Sequence, residues 1–148
     1  MLDFEQLAFI EKWRQRASRG VVVALDGRRG DTLITVRVGE GPSQLDLRGR
    51  DSTGAVRKSR LTLGDRVTMA IEYRARDAGK GAGRGVTGDV VAPGATVRGT
   101  VASSGELVVV DCGAQVLVAG ETLPDANPGD EISFVVADEG KAYLIPTR

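Results

Sequence analysis

The chain contains no histidine. That absence removes the commonest general base and the commonest metal ligand. Ser-His-Asp and Cys-His nucleophilic sites are excluded within the chain, as are zinc sites of the Cys/His type. A single cysteine, Cys112, permits no internal disulfide. It follows Asp111 at the end of an apolar run, which points to a buried structural thiol rather than a reactive one. Aromatic residues make up only 4% of the chain. The longest apolar runs, such as Leu107–Val110, are far too short to span a bilayer. The N-terminus lacks the basic flank and apolar stretch of a secretory signal. The expectation is a soluble, cytoplasmic protein with no membrane contact, no catalytic residues, no metal and no cofactor. An enzyme would have to work with carboxylates, Lys or Tyr alone.

What is present suits a folded domain. Of 148 residues, 41% are hydrophobic and 27% charged, which supports a core and argues against wholesale disorder. The net charge is zero but unevenly spread: residues 1–94 carry 17 basic against 12 acidic side chains, and residues 95–148 carry 3 against 8. The first stretch is mildly basic and the second clearly acidic.

Residues 2–18 place Leu2, Leu7, Phe9, Ile10, Trp13 and Ala17 close to helical spacing. Asp3 and Glu5 stand early and Arg14, Arg16 and Arg19 late, which suits the helix dipole. With Gly20 as a stop, the pattern predicts one amphipathic helix over 1–19. After Gly20 the helical period disappears. Residues 21–26 and 31–38 read as strands around the GRRG turn, followed by 44–48, a DSTG turn or loop at 51–54, and a strictly alternating strand holding Val67, Met69, Ile71 and Tyr73. Residues 77–94 are glycine-rich at first and read as a linker, with a short strand near 88–91. Strands are then expected at 96–103, 106–112 and 115–119, with a last hairpin, 131–137 and 141–146, around DEG. Short strands at this spacing predict small barrels rather than βαβ units.

Two stretches share a frame. Gly20-Val21-Val22 corresponds to Gly99-Thr100-Val101, and Gly64-Asp65-Arg66-Val67 to Gly129-Asp130-Glu131-Ile132. Each Gly-Asp step is a tight turn feeding a strand. The Gly-Val start, the curled hairpin, the variable middle and the Gly-Asp-Arg-Val step together resemble an OB-fold of the S1 or translation initiation factor 1 type. In the stretch 53–74, Gly54, Arg57, Lys58 and Gly64–Val67 are the matching positions. The resemblance implies OB-like barrels that bind RNA. With the residue patterns, it gives the expected architecture, mainly β: an N-terminal helix at 1–19, a first, basic, five-stranded OB-like barrel at 20–76, a linker at 77–94 and a second, acidic, five-stranded OB-like barrel at 95–148.

Arg48, Arg50, Arg57, Lys58 and Arg60 fall within 13 residues, opposed only by Asp51. Arg74, Arg76, Lys80 and Arg84 form a second basic group. In an OB-fold the loops bearing them can approach one groove and neutralise phosphates. A solubilising loop is the alternative reading. Aromatics argue against strong base stacking, because Tyr73 and Phe134 lie on apolar faces and only Tyr143 is placed to face a ligand. The G-x-G-x-x-G match at 83–88 opens no helix and reads as linker. Asp125, Asp130, Glu131, Asp138 and Glu139 read as solvated turn residues. Phe4, Phe9, Ile10 and Trp13 on the helix plug a barrel end or dock on a partner. The expected function is non-enzymatic: contact with RNA or single-stranded DNA through the basic unit. The alternative is a protein-interaction or assembly module, an adaptor or homo-oligomer subunit, acting through the helix.

Overall fold

The computed structural model describes residues 17–28, 31–39, 41 and 44–145. Twelve strands form one sheet among these residues. They are β1 (Ser18–Arg28), β2 (Asp31–Val38), β3 (Leu45–Asp51), β4 (Arg66–Tyr73), β5 (Ala75–Lys80), β6 (Gly85–Val86), β7 (Val90–Val91), β8 (Thr96–Ser103), β9 (Leu107–Asp111), β10 (Gln115–Ala119), β11 (Glu131–Val136) and β12 (Gly140–Ile145). A single α-helix, α1 (Ala55–Lys58), lies among the described residues.

The strands close into rings by exchanging pieces of chain. β1, β2 and β3 form an antiparallel meander. β3 then runs parallel to β12, β12 pairs antiparallel with β4, and β4 pairs with β1. This is a closed barrel of five strands whose fifth strand comes from the C-terminal end of the chain. The rest of the sheet mirrors the arrangement. β8, β9 and β10 form a meander, and β8 also pairs with β11. β10 runs parallel to the end of β4 at Leu117–Glu72 and Val118–Tyr73. The chain passes from β4 through Arg74 into β5, which pairs antiparallel with β11 and closes the second ring.

Three expectations are corrected. First, no α-helix precedes β1 among the described residues, and Ser18 and Arg19, expected at the helix end, pair with Met69 and Thr68 in the ladder. Gly20 is not a helix stop: a Cβ there would lie 2.4 Å from the Arg37 carbonyl oxygen, so glycine permits β1 to pack against β2. Residues 1–16, with Phe4, Phe9, Ile10 and Trp13, lie outside the described residues. Second, the five-stranded barrels do not follow one another along the chain, because each ring borrows a strand from the other stretch. Third, β11 and β12 are not a hairpin. The DEG turn is a crossover that carries β12 into the first ring, and a turn composition alone cannot tell the two apart.

The matching frames have matching bonds. Val22 N–H donates to the Asp65 carbonyl (2.9 Å) and Gly64 N–H to the Val22 carbonyl (2.8 Å). Val101 and Gly129 make the same pair with Asp130 and Val101, at 2.9 and 2.8 Å. The Asp65 and Asp130 carboxylates accept from the backbone N–H of Thr62 and Asn127. These bonds hold each Gly-Asp turn against the first strand of its ring.

The main core holds Ile34, Val36, Leu47, Met69, Tyr73, Val116, Phe134 and Leu144. A second cluster of Ala70, Leu107, Val109 and Leu117, flanked by Tyr143, fills the seam between the rings. It explains the apolar runs: β9 and β10 are buried on both faces and need no polar side.

Tyr73, in the main core, ties β4 to β3 and β7. Its hydroxyl donates to the carbonyls of Arg48 (2.8 Å) and Val91 (3.3 Å). Burial, followed by the charges of Cys112 and Glu139, pushes its pKa well above the ordinary tyrosine range. The sign follows from linkage: the folded state favours the protonated phenol, so this contribution is full below about pH 10 and declines as pH rises above it. Tyr73→Phe is expected to cost about 1–2 kcal/mol at neutral pH, by stranding buried carbonyls. It is also expected to flatten the alkaline loss of stability, as read by urea melts across pH 8–11.

Candidate functional site

The basic loop after β3 is built on one carboxylate. Asp51 Oδ1 accepts from the backbone N–H of Thr53 and Gly54, both at 3.0 Å, and from the Thr53 hydroxyl at 2.7 Å. Its Oδ2 accepts from Val56 N–H at 2.9 Å. Gly54, at φ 72°, supplies the left-handed turn that starts α1. Ala55 is buried, and Val56 and Leu61 pack against the core. The helix is therefore anchored by its apolar side, while Arg57, Lys58 and Arg60 are exposed. The one acid expected to oppose this cluster is spent on folding the loop. Arg57, Lys58 and Arg60 have no ion pair among the described residues. Arg60 sits at φ 51°, a left-handed conformation uncommon for a side chain of its size.

Other cations are already neutralised. Arg48 on β3 pairs with Glu139 on the crossover before β12. Arg74, between β4 and β5, pairs with Glu121 at 2.5 Å. Both pairs staple a crossover to the ring that receives its strand. Arg76 pairs with Asp77 at 2.9 Å and Arg84 with Asp111 at 3.3 Å. Arg50 is exposed on β3. Lys80 is exposed at the end of β5 and has no ion pair among the described residues. The two basic groups thus stand on different rings, the first beside α1 and the second on or beside β5.

Tyr73 and Phe134, expected in the core, are 1% and 0% exposed. Tyr143 packs against the seam cluster. Cys112 is buried, its thiol donates to the Ala114 carbonyl, and burial raises its pKa. It is not an activated nucleophile. No group of three or more potential metal ligands occurs among the described residues. No helix among them is long and apolar enough to cross a membrane.

One solved structure shares the architecture. It is described as the cytoplasmic molybdate-binding protein ModG, in a form with molybdate bound. The likeness has a TM-score of 0.51 at 17% identity and covers 85% of this chain and 93% of that one. At this identity it shows the fold alone, a small OB-like β-barrel. No family model and no curated protein matches the chain, so nothing specific to the S1 or initiation factor 1 type supports the resemblance read from the sequence.

Proposed function

We propose that the chain is a cytoplasmic, non-enzymatic binding protein for a small oxyanion of the molybdate kind, taken up at the α1 loop. The observation that carries this reading is the set of three uncompensated cations, Arg57, Lys58 and Arg60, in a stretch, 48–60, whose one acid, Asp51, is committed to its own turn. A compact dianion can be met by a few charges at one place. The fold shared with ModG favours this ligand class over a polymer.

Nucleic acid is served less well. Four of the nine cations expected to meet phosphates are held by carboxylates. Only Arg57, Lys58 and Arg60 stand together without acids, and three charges on a single strand give a salt slope of only about −2, where nine would give about −6. The buried rings of Tyr73 and Phe134 offer no stacking platform.

Calorimetric titration with molybdate at low and moderate salt tests the reading, with a fluorescent single-stranded RNA alongside. Wild type is expected to bind molybdate saturably. The variant Arg57→Ala, Lys58→Ala, Arg60→Ala is expected to bind about tenfold more weakly, since exposed charges contribute about 0.5 kcal/mol each. Its melting temperature should not change, because all three side chains are exposed. No molybdate binding at low salt, or equal binding by the variant, overturns the reading. RNA binding with a slope near −6 would return the nucleic-acid alternative.

A further inference from the structure

The second ring ends in an open cleft of about 910 Å³ between β5, β11 and the loop after β10. It exists because the two exchanged strands are not equivalent. In the first ring β12 sends Ala142 and Leu144 into the core, at 0% and 1% exposure. β5 holds the corresponding place in the second ring. Ala75 is buried opposite Val136 as Ala142 is opposite Ile71. Beyond Ala75 the alternation stops, and every residue from Arg76 to Lys80 is exposed. The ladder shifts register between Ser133 and Val135, and Asp77 adopts φ 53°. No large apolar side chain follows on β5, so nothing takes the place that Leu144 fills in the first ring. Leu123 and Ile132, both members of the main core, therefore reach the lining of this space at the core's edge. At Gly79 a Cβ would meet nothing within 4 Å.

The cleft has a definite charge. Lys80 faces three carboxylates in its lining, Asp125, Asp130 and Glu131, for a net of −2. Asp130 is engaged through Oδ2 with Asn127 N–H. Asp125 and Glu131 have no side-chain partner among the described residues. A concave space of this size, with apolar walls and a few polar groups at the rim, has the form of a small-molecule site. An aliphatic spacer suits the Leu123 and Ile132 walls, and two positive charges balance the rim.

We propose that this cleft is a second binding site, distinct from the α1 loop, for an aliphatic amine carrying at least two positive charges. Lys80 is then a competitor for the same carboxylates, not a ligand contact. That sign separates this site from any anion site, where Lys80 would be needed.

Calorimetric titration with 1,5-diaminopentane at low salt tests it. Wild type is expected to bind saturably. Asp125→Asn with Glu131→Gln should weaken binding at least about fivefold, consistent with two exposed charges. Gly79→Leu should abolish it by filling the cleft, and Lys80→Ala should tighten it. If Gly79→Leu lowers the melting temperature, the carboxylate variant still carries the test, because both side chains are exposed. Absence of saturable binding overturns the proposal, as does unchanged affinity in the carboxylate variant or weaker binding by Lys80→Ala. Equal binding of neutral 1-pentanol would remove the role of charge and overturn it too. Molybdate binding should be the same in all these variants, so failure here leaves the α1 reading standing.

Discussion

A chain ending at residue 139 will not fold its first ring, although every other strand of that ring remains. The missing piece is β12, which lies between β3 and β4 and closes the barrel. Its loss removes Ala142 and Leu144 from the core. Deleting the Leu144 side chain alone would cost about 2–5 kcal/mol. The truncation also strands the ladder groups of β3 and β4 at an apolar opening. Against a total stability of about 5–15 kcal/mol, that loss is enough to unfold the protein. Circular dichroism and thermal melting should show the cooperative transition gone or shifted far down. An unchanged melt would mean that β12 is dispensable and that the exchange is misassigned.

Gly140→Val is expected to have the next largest effect. Gly140 opens β12 where the crossover meets the seam. A Cβ there would lie 2.5 Å from a Tyr73 ring carbon. The ring cannot step aside, because it is 1% exposed and its hydroxyl is fixed by two carbonyls. The backbone cannot retreat either, since Gly140 is paired with Gly49, where a Cβ would itself sit 2.9 Å from the Gly140 carbonyl oxygen. Overpacking of this kind costs about 3 kcal/mol. That corresponds to a fall of about 6–12 °C in melting temperature for a chain of this size. Combining Gly140→Val with Tyr73→Leu should recover part of the loss, as expected for two residues in contact. Full additivity in that double-mutant cycle would contradict the packing described.

The pattern of strands was legible where one face is wet. The alternation of Val67, Met69, Ile71 and Tyr73 announced β4, and all four are buried. Ala70 broke that pattern because the other face of β4 meets the second ring across the seam. The two Gly-Asp steps announced tight turns feeding strands, since the turn chemistry is local, but not the bonds that tie each turn to Val22 or Val101. The exchange of strands was not legible. Whether Asp138–Gly140 turns a hairpin or a crossover depends on the space between Gly49 and Tyr73, a contact between distant parts of the chain. The role of Gly20 was misread for the same reason, because the carbonyl of Arg37 that it accommodates lies on the neighbouring strand.

The cations were legible as a cluster, but their charge balance was not. Arg48, Arg74 and Arg84 look free along the chain and find their acids at Glu139, Glu121 and Asp111 only when the rings interlock. Asp51 looked like a counterion and is instead the scaffold of the loop. Asp125 and Glu131 read as ordinary turn residues, and no local signal marked the cleft they border. The hint lay in the comparison of 75–80 with 140–145, one lacking the buried leucine of the other.

The most direct test of the central claim is an amide chemical-shift titration of the full chain with molybdate at low salt. Saturable shifts concentrated at residues 54–61 and absent from the second ring are the predicted result. The absence of any saturable shift, or shifts confined to another part of the sheet, would contradict it.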